Sequence, residues 1–351
     1  MESAAAILTG HDRPVEIRNV QIPELKPGQV LVQVKAAGIC HTQLGEVRGR
    51  RGADPYIPHA LGHEGAGIVL AIGADVKKVV VGDHVVLTWI KGQGCEVPQT
   101  VYADCATHNH INAGAITCFQ NITVASENRV VKIDSKMPFD IAALLGCAVP
   151  TGAGLVRHDA KLQAGQSIAI IGVGGIGLSA LIAAKAEGAG TIVAVDVQDD
   201  KLALACKLGA THTFNAKAED PVAGVMALTN NTGVDIALEC SGNKSGTENA
   251  FAMIRFGGGH CVLAGNLPYG QKMEIVPKDL IRGKQLTGSW GGSSRPDEDV
   301  PYYAEQYLAG KLPLDDLISH RIKLADINDA FDLIDRGEAA RIIIEFPDAI
   351  A

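Results

Sequence analysis

Three residue types set far apart in the chain have the chemistry of a metal site. Cys40 in AAGICHT, His63 in ALGHEGAG and Cys147 in ALLGCAVPTG offer a thiolate, an imidazole and a second thiolate, and Glu64 adds a carboxylate beside the histidine. A Cys₂His set suits zinc and leaves a fourth position for water, substrate or a carboxylate. Taken singly, none of them is diagnostic: a lone buried cysteine is usually a small hydrophobe, and a histidine can be satisfied in a core.

A second constellation is contiguous. Residues 172–177 read Gly-Val-Gly-Gly-Ile-Gly, directly after the apolar run SIAII and opening IGLSALIAAKA. In this G-x-G-x-x-G pattern Gly172 permits a tight turn, Gly174 lets the backbone approach a pyrophosphate, and Gly177 lets helix and strand pack closely. Gly175 and Ile176 then open the helix whose positive end meets the phosphate. Asp196 ends the next strand, TIVAVD, 19 residues after Gly177, where a carboxylate accepts hydrogen bonds from an adenosine ribose. It also repels a 2′-phosphate, and no arginine follows it in VQDDK, so NAD is expected rather than NADP. Lys201, opening the next helix, lies within reach of the same ribose.

The elements that position these groups fall into two rhythms. Up to about residue 148, short β-branched or alternating runs (GQVLVQVKAAG, GAGIVLAIG, DHVVLTW, NRVVKI) are separated by Gly, Pro and Asp, which predicts a partly open barrel or a folded antiparallel sheet. From about residue 165 the apolar strands SIAIIG, TIVAVD, THTF, VDIALEC and HCVLAG alternate with helical stretches, the mark of βαβ units on a parallel sheet. QLTGSW is a sixth strand, VPYYAEQYLAGK and LADINDAFDLIDRGEA are amphipathic helices, and RIIIEF is the last strand. The tail after the sixth strand is too short for a domain and is expected to return to the first one.

The motifs GICHT, GHEGAGIV, VGDHVV, LLGCAVPTG, GVGGIG with Asp196, and the closing ARIIIEF, in that order, resemble the zinc-dependent medium-chain alcohol dehydrogenases over nearly the whole chain. The resemblance implies an α/β fold: a doubly wound Rossmann sheet at 149–288 that binds NAD, and a GroES-like, strand-rich catalytic domain at 1–148 and 289–351. It implies that Cys40, His63 and Cys147 hold one catalytic zinc and that Glu64 joins or leaves the metal during ligand exchange. It places Thr42 on the substrate oxygen at the start of the proton path, His41 and Arg341 at the cofactor pyrophosphate, Thr151 against the nicotinamide and Trp89 in the substrate pocket. The implied reaction is reversible hydride transfer between a primary or secondary alcohol and NAD, in a homodimer or homotetramer. A polyol, sugar or cyclitol dehydrogenase is the alternative within the family; a non-catalytic dinucleotide-binding protein is the alternative outside it.

The chain also departs from the family pattern. Many relatives carry a structural zinc clipped by four closely spaced cysteines, whereas Cys95, Cys105 and Cys118 stand C-x₉-C-x₁₂-C and cannot form close C-x₂-C pairs; one zinc per chain is expected. The rival arrangement would gather Cys105, His108, His110 and Cys118. Gln43 and Gly45 occupy positions where many relatives place an Asp that orients the zinc histidine and a His that relays the proton. Gln43 is expected to accept a hydrogen bond from the zinc histidine, and His59 is a substitute relay candidate. Arg48, Arg50 and Arg51 form a basic loop that would recruit an anionic substrate if it is not simply solvated or in contact.

Composition bounds the rest. The 351 residues carry 31 Lys and Arg against 39 Asp and Glu, a net charge of −8, which disfavours nucleic acid as a partner. No apolar run approaches a membrane span of ~18 residues. Eight cysteines are too sparse for a disulfide scaffold, and MESAAAILTGHDRP lacks the apolar core of a secretory signal, so a cytoplasmic location is expected.

Overall fold

The computed structural model of the chain describes residues 1–347; residues 348–351, part of the expected second catalytic segment, lie outside the described residues. The chain divides into two compact units, the first made of Met1–Cys147, Arg295–Gly310 and the chain from Leu314 onward, the second of Ala148–Ser294 and Lys311–Pro313.

In the first unit, strands Glu2–Leu8, Glu16–Gln21, Thr100–Asp104, His110–Gly114 and His59–Ala60 close into a barrel. Closure depends on the two-residue strand His59–Ala60, which pairs antiparallel with Glu2–Leu8 and parallel with His110–Gly114. The barrel is thus shut, where the sequence pattern left a partly open one or a folded sheet. Its interior is small and apolar, with Ile7, Val20, Tyr102, Ile111 and Val124 all buried. Beside it runs a seven-stranded sheet in which Gln29–Ile39 is central, pairing with Glu64–Ile72, Ile122–Ser126 and the last strand, Arg341–Glu345. Gln29–Ile39 is buried along nearly its whole length, as its β-branched run requires of a central strand. The register Ile342 opposite Ile39 returns the chain end to the first unit and sets Arg341 beside the segment that carries Cys40. Helix Ile327–Asp335 covers the sheet with Ile327, Ala330 and Phe331, the i, i+3, i+4 stripe that makes it amphipathic.

The second unit is a six-stranded parallel sheet ordered His212–Asn215, Thr191–Asp196, Ser167–Ile171, Ile236–Glu239, His260–Leu263, Gln285–Gly288. Counted along the chain this is 3-2-1-4-5-6, the doubly wound order that binds dinucleotides where the winding reverses. Its inner strands are buried on both faces, Ile236–Glu239 completely. The helices between them start on explicit signals, such as Asp220 capping a helix with Pro221 at its first position and Asn243 capping Lys244–Met253.

The unit boundaries differ from the sequence reading: Ala148 and Lys311–Pro313, expected on the catalytic side, belong to the second unit. Residues 289–294, expected on the catalytic side, cluster with the parallel sheet. Ser289 and Ser293 both donate to the Asp159 carboxylate at 2.5 Å. At Gly292 a Cβ would lie 2.3 Å from the Thr151 carbonyl, so the backbone there is packed too closely for any side chain.

Candidate active site

Cys40 follows the central strand and caps helix His41–Val47. His63 stands in the turn before strand Glu64–Ile72, and Cys147 follows helix Phe139–Leu144. The turn before His63 exists because Gly62 takes φ +97° and its hydrogen faces Phe119, where a Cβ would lie 2.6 Å from the ring. Gly38 plays a related part on the strand, since a Cβ there would meet a Glu64 carboxylate oxygen at 2.7 Å.

These elements bring Cys40, His63 and Cys147 together with their ligand atoms all within 4.8 Å of one another. Bonds of about 2.3 Å to sulfur and about 2.0 Å to nitrogen from a central zinc bridge such separations, and two soft thiolates with an imidazole are the donors zinc prefers. The residues therefore fit the metal. The hydrogen bond from Cys147 holds the Cys40 thiol well below the ordinary thiol range, with His63 helping, while the same contact and burial push Cys147 well above it. A bound dication displaces the Cys147 proton.

Trp89 closes one side. Its indole Nε1 donates to Cys147 Sγ at 3.2 Å and its ring meets His63 edge-on, with centroids 6.4 Å apart. Cys40 Sγ lies 3.6 Å from Thr42 Oγ1, so the hydroxyl expected to touch substrate is beside a ligand. His41 is exposed at the start of the same helix.

Two residues of the expected site, Glu64 and Arg341, engage each other. Glu64 lies outside the ligand group: it is fully buried, and its carboxylate accepts a very short hydrogen bond from Arg341. Arg341, expected at the pyrophosphate, is 4% exposed and pairs with Glu64 while donating to the Ile39 carbonyl at 3.3 Å. The physical reason is mutual, since neither buried charge is tolerable without the other. Burial works against the guanidinium, but Glu64 and the two sulfurs hold it charged.

Gln43 touches two of the three candidate ligands. It was expected to accept from the zinc histidine, yet its Oε1 accepts from the Cys40 backbone N–H at 3.0 Å, and its Nε2 lies 2.5 Å from His63 Nδ1. His59, the relay candidate, has Nε2 2.9 Å from Asp54 Oδ2 and Nδ1 3.0 Å from the Ala60 carbonyl. The basic loop is neutralised internally: Arg48 pairs with Asp332 and Asp335, Arg50 with Asp335, and Arg51 with Glu46.

The second unit carries the glycine loop. Gly172 has φ +85°, and a Cβ on Gly177 would lie 2.0 Å from the Gly172 carbonyl, whereas Gly174 faces open space. Helix Gly175–Ala186 starts at Gly174 without a side-chain cap, so Gly175, Ile176 and Gly177 offer their N–H groups to an anion. Asp196 ends its strand as expected and braces the loop: one oxygen accepts from Val173 N at 2.9 Å, the other from Val197 N and Gln198 N. Lys201 is half-buried in the following helix. Thr151 is 5% exposed with a buried Oγ1 that has no partner, an orphan that a cofactor amide would satisfy.

Sequence reasoning missed Glu239. Fully buried at a strand end, its carboxylate accepts from Ser241 N at 2.7 Å, Ser241 Oγ at 2.5 Å and Gly242 N at 2.9 Å. Ser241 in turn backs Gly172. The available signal was a charged residue ending an otherwise apolar strand, VDIALE.

The alcohol dehydrogenase GroES-like domain family matches residues 26–135, and the zinc-binding dehydrogenase family matches residues 175–308. S-(hydroxymethyl)glutathione dehydrogenase of Paracoccus denitrificans is 32% identical over 387 residues, which cover 98% of this chain and 100% of the relative. The chain belongs to the zinc-dependent medium-chain alcohol dehydrogenases. The crystal structure of benzyl alcohol dehydrogenase from Acinetobacter calcoaceticus is similar with a TM-score of 0.90 at 31% identity, over 99% of this chain and 100% of that one. That of an alcohol dehydrogenase zinc-binding domain protein from Burkholderia ambifaria also gives 0.90, at 32% identity over 99% of each. Membership carries zinc-dependent alcohol oxidoreductase activity with a nicotinamide dinucleotide.

In this alcohol dehydrogenase, Cys40, His63 and Cys147 are the one such potential ligand group among the described residues. The rival set is dispersed: Cys118 is fully buried in the sheet core, and Cys105 stands in a half-buried turn. Near Cys95, Glu127 is the organising group, its carboxylate accepting from Lys77 N, Lys78 N and Cys95 N at 2.6, 2.9 and 2.7 Å. No helix among the described residues is long and apolar enough to cross a membrane.

Proposed function

We propose that the enzyme oxidises a small uncharged primary or secondary alcohol reversibly with NAD, using one zinc per chain held by Cys40, His63 and Cys147. The observation that carries the reading is the convergence of those three ligand atoms within 4.8 Å. Bound zinc supplies Lewis acidity that favours the alkoxide near neutral pH. The Thr42 hydroxyl, beside Cys40, hydrogen-bonds the substrate oxygen and starts the proton path, receiving the alcohol proton as it passes its own on towards water, and Trp89 excludes water from the sulfur side. Asp196 orients the adenosine ribose and disfavours a 2′-phosphate, and Lys201 assists it. The uncapped helix start at Gly175 binds the pyrophosphate, with His41 contributing from its exposed position, and Thr151 Oγ1 contacts the nicotinamide.

The internal pairing of Arg48, Arg50 and Arg51 favours a neutral substrate over an anionic one. Two similar proteins carry the names S-(hydroxymethyl)glutathione dehydrogenase and benzyl alcohol dehydrogenase, which makes benzyl alcohol the first neutral substrate to test and S-(hydroxymethyl)glutathione the charged comparison. The test is an alcohol and polyol panel followed by NADH absorbance, with NADP in place of NAD and a chelated control. Activity that survived complete zinc removal would overturn the reading. We also infer a cytoplasmic enzyme, which its eight unpaired cysteines support, assembled as a homodimer or homotetramer.

A further inference from the structure

Gln43 is 1% exposed, so every hydrogen bond of its amide must come from the protein. Its carbonyl oxygen takes the Cys40 N–H at 3.0 Å, and its NH₂ faces His63 Nδ1 at 2.5 Å. With Nδ1 turned to Gln43, Nε2 is the nitrogen left for the sulfur side of the ligand group. A neutral imidazole that gives its Nε2 lone pair to a metal carries its proton on Nδ1, and this proton needs an acceptor. Gln43 presents a donor there. Turning the amide over would supply His63 with the oxygen but would set the NH₂ against the Cys40 N–H, donor against donor. One amide oxygen therefore faces two claims, from the backbone of one ligand and from the ring of another.

We propose that Gln43 is a positioning residue that weakens this chain's hold on zinc, because its oxygen is held by Cys40 N–H and the atom it presents to the Nδ1–H of metal-bound His63 is a second donor. A carboxylate at the same position has two acceptor oxygens and meets both claims, and it adds a negative charge that strengthens the imidazole as a ligand. The consequence is a catalytic metal that exchanges more readily than the ligand set alone dictates. The inference rests on the reading of Cys40, His63 and Cys147 as the zinc site, and it concerns affinity, not the reaction.

The test is zinc affinity of the full chain by competition with a chromophoric chelator, for the wild type and for Gln43→Glu, Gln43→Asp and Gln43→Leu, with thermal unfolding of each metal-free form as the folding control. The expected result is a dissociation constant lowered about 10–100-fold in Gln43→Glu and raised in Gln43→Leu, with no matching order in the metal-free unfolding temperatures. Gln43→Asp, a shorter carboxylate, serves if the Glu variant does not fold, and is expected to tighten binding in the same direction. A merely structural role would make every substitution loosen the metal. Equal or weaker affinity in the folded carboxylate variants, with the wild type still binding zinc, overturns the proposal and leaves the zinc site standing. A wild type that binds no zinc overturns both.

Discussion

At the scale of single residues, the site is an arrangement of buried charges and donors that compensate one another. Removing a ligand thiolate dismantles the set: Cys147→Ala is expected to lower bound zinc from one equivalent to near zero by atomic emission. Turnover should fall by about 10³-fold, the loss of the several kcal/mol that Lewis-acid stabilisation supplies. Asp196 combines two roles, because the carboxylate expected to bind ribose also holds Val173 N in the glycine loop. Asp196→Ala is expected to raise KM for NAD about 10–100-fold, the worth of one charge-assisted hydrogen bond, and to narrow the preference over NADP. An unchanged NAD to NADP ratio of kcat/KM would count against the selector role. The glycine pattern and Asp196 were legible in the sequence because they lie on one strand-turn-helix-strand unit, where spacing and contact nearly coincide. The Glu64–Arg341 pair was not, since 277 positions separate its members.

At the scale of elements, two devices deliver the site. The turn at Gly62 presents His63, and a methyl group there meets the Phe119 ring and backbone while the φ of +97° disfavours any side chain. Gly62→Ala is expected to destabilise the first unit by about 1–3 kcal/mol, seen as a lower unfolding temperature together with weaker zinc retention. Glu127 organises the chain around Cys95 through three backbone N–H groups. Burial pushes its carboxyl pKa up, but three backbone N–H groups, from Cys95, Lys77 and Lys78, outweigh it, so the group titrates below the ordinary glutamate value. A depressed carboxylate contributes stability that is fully present above its unfolded-state pKa and is lost as pH falls through the folded one. Stability should therefore decline below about pH 4.5, and Glu127→Gln should reduce that dependence while costing about 1–3 kcal/mol at neutral pH. Parallel denaturation curves of the two proteins across pH 3–7 would refute this. That Cys95, Cys105 and Cys118 lack close C-x₂-C spacing was readable in the sequence; that Glu127 binds the backbone beside Cys95 was not, because it is about 30 to 50 positions from the groups it binds.

At the scale of the whole molecule, each unit has its own core and its own proposed ligand. Zinc or NAD that binds the folded chain alone should raise stability by about 2.7 kcal/mol at a ligand concentration of 100 Kd; calorimetric scans with each ligand, and with chelator, check this, and an unmoved transition would count against the corresponding site. The sequence by itself determined the two rhythms, the parallel βαβ sheet and the glycine loop, because periodicity and contiguous motifs are local consequences of strand, helix and turn geometry; Cys40, His63 and Cys147 were named as ligands through the family resemblance. Only the tertiary structure decided which polar groups compensate one another. It gave Arg341 to Glu64, the arginine loop to helix Ile327–Asp335, residues 289–294 to the parallel sheet, and both ends of the Gln43 amide to the segments of two ligands. A buried polar group must find its partner wherever the fold brings one within about 3 Å, and that distance is set by packing between segments remote in the chain, which spacing along the sequence does not encode.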